Sequence, residues 1–264
     1  MKLKTNNFLE KIREFTPQLG TWNMINAPMV SEIVASAGFD WSVIDMEHAP
    51  NDVERVMQQL QAFGAYSTVP MVRPPSTEPV STKRLMDLGA PSLLFPMVNS
   101  AEEAAAAVAG VRYPPNGKRG MAGVHRGHRF GRISDYLERI EDETCVIVQA
   151  ESKQAVENID EIAKTPGVDG VFFGPADLAT DMGFLGTAGQ PEVWTVIEEC
   201  AARVRKLGKP AGSLVGSIEH AERLFEKGLT FVAVGTDAGL LARSMDKIVA
   251  SYKGEGVGCS NGSY

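Results

Sequence analysis

The sequence predicts a single-domain α/β fold of the (β/α)8 TIM-barrel type. Three observations carry this expectation. Eight short apolar runs, several rich in β-branched residues, alternate with helix-period segments along a chain of 264 residues, as parallel strands buried on both faces require. The residues with chemical potential (Trp22, His48, Arg73, Gln149, Glu151 and Asp177) fall at or just after the ends of those runs, the edge where barrels of this type build their sites. The first run is followed by Asn23-Met24-Ile25-Asn26-Ala27, which lacks the glycine fingerprint expected of an open, doubly wound nucleotide-binding sheet.

Taken in order, residues 1–18 read as a surface helix ended near Pro17. Leu19–Met24 is the first strand, and Pro28–Ala37 a helix closed by Gly38. Trp41–Asp45 is the second strand, and Asn51 or Asp52 caps a helix running to Phe63. Thr68–Val72 is the third strand, stopped by Pro74 and Pro75 because proline cannot donate to the ladder. A helix over Glu78–Leu88, a strand over Ser92–Pro96 and an Ala-rich helix over Glu102–Ala109 follow. Residues 111–133, rich in Pro, Gly, Arg and His, form the longest irregular stretch, a composition and length that suit a working loop. Ser134–Glu141 is a helix. The central unit is a buried strand over Cys145–Val148, a helix over Ser152–Ala163 and a strand over Val168–Phe173. Trp194–Leu207, Ser217–Lys227 and Asp237–Tyr252 are helices, and Pro210–Val215 and Phe231–Gly235 are strands seven and eight. The barrel domain is thus expected over residues 1–252, with 253–264 too poor in apolar residues to pack.

The net charge is −7, which argues against a nucleic-acid partner bound through a broad basic surface. No run approaches the ~18 apolar residues of a membrane span, and the charged start MKLKTNNFLEKIREF lacks the apolar core of an export signal. The three cysteines, Cys145, Cys200 and Cys259, are scattered without disulfide or metal spacing. A reducing, cytoplasmic setting is expected.

Neighbouring parallel strands would bring Glu151 and Asp177 to one edge of the sheet. Two carboxylates, completed by water and substrate oxygens, suit Mg²⁺ or Mn²⁺, with Co²⁺ a further option. From spacing alone the same acids read equally well as residues favoured at helix N-termini. Arg73, held between an apolar run and two prolines, has a fork suited to a carboxylate or to an oxygen that becomes an enolate; a structural rim arginine paired with an acid is the less favoured alternative. His48 is a candidate general acid or base, with Asp87 a candidate to orient it. Gly174-Pro175-Ala176-Asp177 opens a helix whose free amides suit a substrate carboxylate, or simply forms a Pro-initiated start. No lysine occupies a strand C-terminal end to form a Schiff base, no Gly-x-Ser-x-Gly elbow is present, and no Cys–His spacing suggests zinc.

The segments GTWNMINAPMVSEIVASAGFDWSVIDMEHAPND, PMVRPP, RYPPNGKRG, VQAES, VDGVFFGPADLATDMG and FVAVGTD together resemble the HpcH/HpaI aldolase family, the metal-dependent class II pyruvate aldolases. The resemblance covers roughly residues 8 to 252. It implies a barrel, a divalent metal and reversible aldol chemistry with pyruvate, or a close 2-oxo acid, as the nucleophile. It implies that Glu151 and Asp177 are metal ligands and that Arg73 steadies the enolate oxygen. His48 is then the acid/base group, working with a metal-bound water and oriented by Asp87. Trp22 and Gln149 line the pocket, and the Gly174–Asp177 turn, through the amides of Ala176 and Asp177, cradles the carboxylate. The His125-Arg126 pair in the long loop is similar to that of dehydro-deoxyglucarate aldolases, and an Arg-rich loop suits an acidic aldehyde.

The leading expectation is therefore a lyase that cleaves a 4-hydroxy-2-oxo acid, 2-dehydro-3-deoxyglucarate or 5-dehydro-4-deoxyglucarate first, to pyruvate and an aldehyde such as tartronate semialdehyde. The second is 4-hydroxy-2-oxoheptanedioate, giving succinate semialdehyde. Related barrels acting on CoA esters are more distant, and a barrel that binds 2-oxo acids without catalysis is the alternative from another class. The resemblance also implies a homo-oligomer, commonly a hexamer built as a trimer of dimers with exchanged terminal helices.

Overall fold

A computed structural model describes residues 1–187 and 189–253. Eight parallel strands close into one barrel in chain order: β1 (Gln18–Asn23), β2 (Trp41–Asp45), β3 (Val69–Arg73), β4 (Ser92–Phe95), β5 (Cys145–Ala150), β6 (Gly170–Phe173), β7 (Ala211–Val215) and β8 (Phe231–Thr236). The first helix, α1 (Asn7–Arg13), precedes the barrel. The connecting helices are α2 (Pro28–Ser36), α3 (Val53–Phe63), α4 (Pro79–Leu88), α5 (Ala101–Val111), α6 (Tyr136–Glu143), α7 (Lys153–Glu157), α8 (Ile159–Lys164), α9 (Pro175–Asp181), α10 (Pro191–Lys206) and α11 (Ile218–Glu226), and α12 (Asp237–Lys253) closes the described chain. The expected barrel is observed.

Period-2 alternation divides the strand residues between two cores. Val72, Leu93, Val146, Val148, Val171, Ala211 and Val232 point outward under the helices. Trp22, Trp41, Val43, Met71, Leu94, Cys145, Ile147, Phe172, Leu214, Phe231 and Ala233 fill the interior. This is a packed core and not a channel. Gly20 gives Trp41 its room, since a Cβ at Gly20 would lie 2.3 Å from the indole.

The N-terminal segment departs from expectation. The helix α1 is short because Phe15 takes a left-handed φ of 56°, and it is not a surface element. Phe8, Leu9 and Ile12 are buried and join the interior cluster. The Phe8 ring lies 5.5 Å from Trp41 and 5.6 Å from Phe231, so α1 plugs the bottom of the barrel. Asn6 caps the helix by accepting from the Leu9 amide, and its side-chain amide donates to Pro91 and Glu143 carbonyls.

Two further differences are local. The single helix expected over Ser152–Ala163 is broken into α7 and α8 at Asn158, which donates its side-chain amide to the Asn99 carbonyl. The last helix, α12, continues to Lys253, while residues 254–264, with Cys259 and the rest of the expected tail, lie outside the described residues. Cys145 and Cys200 are buried free thiols. Among the described residues no helix is long and apolar enough to cross a membrane.

The helix α12 has one buried residue, Asp237. Leu240, Leu241, Met245, Ile248, Val249 and Tyr252 are all exposed, although their spacing makes an apolar stripe of the kind that normally packs.

Candidate active site

The interior alternation that fills the barrel also builds the site. On β2 the inward sequence is Trp41, Val43, Asp45; on β3 it is Met71, Arg73; on β5 it is Cys145, Ile147, Gln149, continued by Glu151. Each series is apolar below and turns polar at its C-terminal end. A cavity of about 670 Å³ opens there, lined in part by Trp22, Asp45, His48, Arg73, Gln149 and the Gly174–Asp177 turn.

Arg73 is buried and fixed from two sides. Its Nε donates to Asp45 Oδ1 at 2.9 Å and its Nη2 to Oδ2 at 2.7 Å, a bidentate pair. Its Nη1 lies 2.9 Å from Glu47 Oε2, close but not aligned as a hydrogen bond, and its guanidinium carbon stands 5.1 Å from the Trp22 ring centroid. Since a guanidinium carries five N–H groups, these contacts orient it without exhausting it. Burial pushes the Asp45 carboxyl up, but Arg73 and the amides of Glu47 and His48 outweigh it and hold the group below the usual carboxylate range. Asp45 thus faces the site. Its role was not assigned from sequence, although its alternation with Trp41 and Val43 carried the signal.

Glu151 is buried at the end of β5. Its Oε1 accepts from the Met97 amide at 2.8 Å and its Oε2 from Gln149 Nε2 at 2.8 Å. Burial raises its pKa to about 7, opposed by the Met97 amide and reinforced by the negative charges of Asp177 and Glu47. Gly174 allows this packing, because a Cβ there would lie 2.2 Å from Glu151 Oε2. Asp177 is exposed, in the first turn of α9. Gly174 provides no capping side chain and Pro175 no N–H, so the amides of Ala176 and Asp177 start the helix without an acceptor from the cap.

These residues suit a divalent cation. Glu151 and Asp177 act on one another and on Glu47 as like charges, and the carboxamide oxygen of Gln149 is buried without a hydrogen-bond partner among the described residues. No three His, Cys, Asp or Glu side chains there form a ligand set. Two carboxylates leave most positions to water and substrate, the arrangement hard ions such as Mg²⁺ accept.

His48 lines the same cavity, its side chain 59% exposed and its Nε2 3.9 Å from Glu47 Oε2. The loop carrying it is secured from below by a buried network. Asn23 donates to Ser31 and Gln59, Gln59 to Asn51, and Asn51 to the Asp45 carbonyl at 2.7 Å.

Asp87 does not meet His48 within the chain, contrary to the pairing expected from the resemblance. The physical reason is topological: α4 runs back alongside the barrel, so its last turn lies at the start of β4, on the face opposite the cavity. There Asp87 Oδ1 accepts from Arg119 Nη2 at 2.8 Å, and its carbonyl accepts from the Gly127 amide. The long loop follows it: Arg126 donates to the Leu88 carbonyl, and neither His125 nor Arg126 lines the cavity of its own chain. Residues not anticipated from sequence, among them Met24, Thr180, Leu185, Thr187 and Thr236, complete the rim.

A profile of the HpcH/HpaI aldolase/citrate lyase family matches residues 18–244. The chain belongs to this family. It is 43% identical over 260 residues to the 4-hydroxy-2-oxo-heptane-1,7-dioate aldolase of Escherichia coli (strain SE11), covering 98% of this chain and 99% of the relative. It is 45% identical over 252 residues to a pyruvate aldolase of Rhizobium etli, covering 96% and 99%. Among solved structures, an HpcH/HpaI aldolase/citrate lyase family protein from Burkholderia cenocepacia J2315 superposes with a TM-score of 0.91 at 38% identity, covering 94% of this chain and 100% of that one. The chain is an aldolase, a carbon–carbon lyase.

Proposed function

We propose that this HpcH/HpaI-family aldolase reversibly cleaves a 4-hydroxy-2-oxo acid to pyruvate and an aldehyde, with 4-hydroxy-2-oxoheptanedioate as the foremost candidate. The observation that carries the reading is the convergence of Arg73, Gln149 and the Gly174–Asp177 turn on one cavity, with Glu151 buried against it as the acceptor of the Gln149 side-chain amide. The sequence alone ranked dehydro-deoxyglucarate first, on the strength of His125-Arg126. That loop lies away from the chain's own cavity, and the relatives named above favour the heptanedioate.

Glu151 and Asp177 would hold a divalent metal, Mg²⁺ or Mn²⁺. When bound, it supplies Lewis acidity toward the 2-oxo acid. The chain's own residues do the rest. The amides of Ala176 and Asp177 receive the substrate carboxylate. In cleavage the C4 hydroxyl proton leaves, the C3–C4 bond breaks, and the electron pair passes to the enolate of pyruvate, whose C3 then takes up a proton. Arg73, held rigid by Asp45, stabilises the charge that grows on the enolate oxygen. His48 exchanges the proton. A non-catalytic binder would need no acid/base group beside the guanidinium.

Asp87 remains the partner of His48 in this reading, delivered by a second copy. Its Oδ1 is taken by Arg119, its side chain is 23% exposed, and it sits on the opposite face of its own barrel. A homo-oligomer, a hexamer arranged as a trimer of dimers, would supply that contact and cover the apolar stripe of α12. A cytoplasmic setting suits the reduced, buried Cys145 and Cys200.

The test is pyruvate release from 4-hydroxy-2-oxoheptanedioate and from 2-dehydro-3-deoxyglucarate, each with Mg²⁺, Mn²⁺, Co²⁺ or EDTA. Metal-dependent release with a higher kcat/KM on the heptanedioate is expected. Release that survives complete chelation would refute the metal assignment, and preference for the glucarate would reverse the substrate order.

A further inference from the structure

The cluster behind Asp87 is not accounted for by the reaction described so far. Arg119 is 1% exposed, one of the largest fully buried side chains. Its guanidinium carbon lies 4.5 Å from the Tyr113 ring centroid, and its Nη2 donates to Asp87 Oδ1 at 2.8 Å and to the Tyr136 hydroxyl at 3.1 Å. Its Nε and Nη1 have no hydrogen-bond partner among the described residues. His125 braces the same aspartate: its Nε2 is 4.0 Å from Asp87 Oδ1, and its Nδ1 is 3.3 Å from the Asp87 carbonyl. His128 packs against His125 with ring centroids 3.8 Å apart.

A buried cation with unsatisfied donors is a poor device for stability. Burying such a pair costs desolvation that the attraction barely repays, and an apolar replacement often folds as well. What the arrangement does achieve is orientation. The Arg119 plane is clamped by a tyrosine face and a hydroxyl, so its N–H vector fixes one Asp87 oxygen and sets the direction in which the other is presented. We infer that Arg119 is a positioning residue of the aldolase reaction: it fixes the Asp87 carboxylate at the end of α4 so that its free oxygen is presented outward, to His48 of a second copy. This inference rests on the reading that Asp87 orients His48, and Arg119 itself touches no substrate.

The experiment compares D87N, R119K, R119M and the double variant D87N/R119M as intact oligomers. Two readouts are used: pyruvate release across pH, and exchange of the pyruvate methyl protons in D2O followed by NMR. Displacement of an orienting group by about 1 Å costs on the order of 100-fold. R119M is therefore expected to lower kcat by about 10- to 100-fold and to displace the pH profile in the same direction as D87N. The KM for the 2-oxo acid should change little, since Arg73 and the Gly174–Asp177 turn hold that end. R119K, which keeps the charge but loses the planar fork, should recover only part of the rate, and the double variant should be no slower than D87N.

If D87N is impaired while R119M keeps the wild-type kcat and pH profile, Arg119 is structural only and the inference fails by itself. If D87N turns over like wild type, the reading of Asp87 fails and takes this inference with it. Should R119M not fold, Y136F decides the matter, because it removes the second acceptor that clamps Arg119 without leaving a buried charge unpaired. A modest loss of kcat that vanishes in the D87N background supports the positioning role. An equal loss in both backgrounds overturns it.

Discussion

Replacing Gly174 with Ala is a sharp test of how the site is packed. The backbone there has φ −85° and ψ 101°, which alanine adopts freely, so strain in the chain does not enter. What enters is the methyl group. It would stand 2.2 Å from Glu151 Oε2, 3.0 Å from Glu151 Cβ and 3.2 Å from Gln149 Nε2. Real Cβ atoms essentially never approach a heavy atom closer than 3.0 Å, so the carboxylate must retreat by about 0.8 Å, the difference between 3.0 and 2.2. That retreat stretches both hydrogen bonds that fix Glu151, from the Met97 amide and from Gln149. Overpacking of this kind costs about 1–3 kcal/mol of stability, while a displacement near 1 Å in the constellation costs about 100-fold in rate. Activity is therefore predicted to fall much further than stability. Lactate-dehydrogenase-coupled pyruvate release at saturating Mg²⁺, calorimetric titration of Mn²⁺ and a thermal melt measure the three quantities together. A G174A protein that binds Mn²⁺ and releases pyruvate like wild type would show that Glu151 does not hold the metal in this position.

Other outcomes follow from the same contacts. Glu151 carries a pKa raised from 4.5 to about 7, so between those values the folded, metal-free protein holds a proton that the unfolded chain has lost; its stability should fall by about 3 kcal/mol as pH rises through this window, and E151Q should abolish that slope in thermal melts. Because a metal needs the ionised carboxylate, Mn²⁺ affinity should rise through pH 7 with proton release, detectable by calorimetry in two buffers of different ionisation heat. R73K loses the bidentate pair with Asp45 and should lower kcat by about 100-fold or more, whereas an unchanged kcat would remove Arg73 from the reaction. F8A empties the plug beneath Trp41 and Phe231 and should cost about 3–5 kcal/mol in denaturant melts while kcat changes little, since the cavity lies at the opposite end.

Which features were legible in the sequence depended on whether they were local to a strand. The apolar runs and their period fixed the interior residues, and the same period carried past Val43 and Ile147 places Asp45, Gln149 and Glu151 at the top of the barrel. From the sequence Asp45 faces either the site or a neighbouring subunit, because a single acid after an apolar run does not announce its partner; only the pairing of β2 with β3, Asp45 beside Arg73, shows that it fixes the guanidinium. The apolar spacing of Phe8, Leu9 and Ile12 was visible too, yet nothing in it says which surface the helix covers. The Asp87–His48 pairing was the least local expectation. Helix direction alone sends Asp87 to the far face, and a resemblance taken residue by residue carries no record of which copy supplies a group.

That separation of faces bears on how the reaction divides. Arg73, Gln149, Glu151 and the start of α9 stand at or just beyond the ends of three strands and inherit their rigidity, so on the proposed reading one protomer contains the groups that seat a 2-oxo acid and stabilise its enolate. His48, the proposed proton-exchanging group, stands instead on a loop, more than half exposed, with Glu47 Oε2 3.9 Å from its Nε2. A general acid or base works only when held in reach of its proton, so the chemistry most sensitive to geometry is assigned to the residue that its own chain holds least. The far face of the same barrel carries the opposite excess: Asp87 is clamped by the buried Arg119 and braced by His125, away from the residues that line the cavity. Under the proposed function, an under-held histidine on one face and an over-held aspartate on the other complement each other between copies. On the proposed reading assembly is a condition of proton transfer, while 2-oxo acid binding is a property of the single chain.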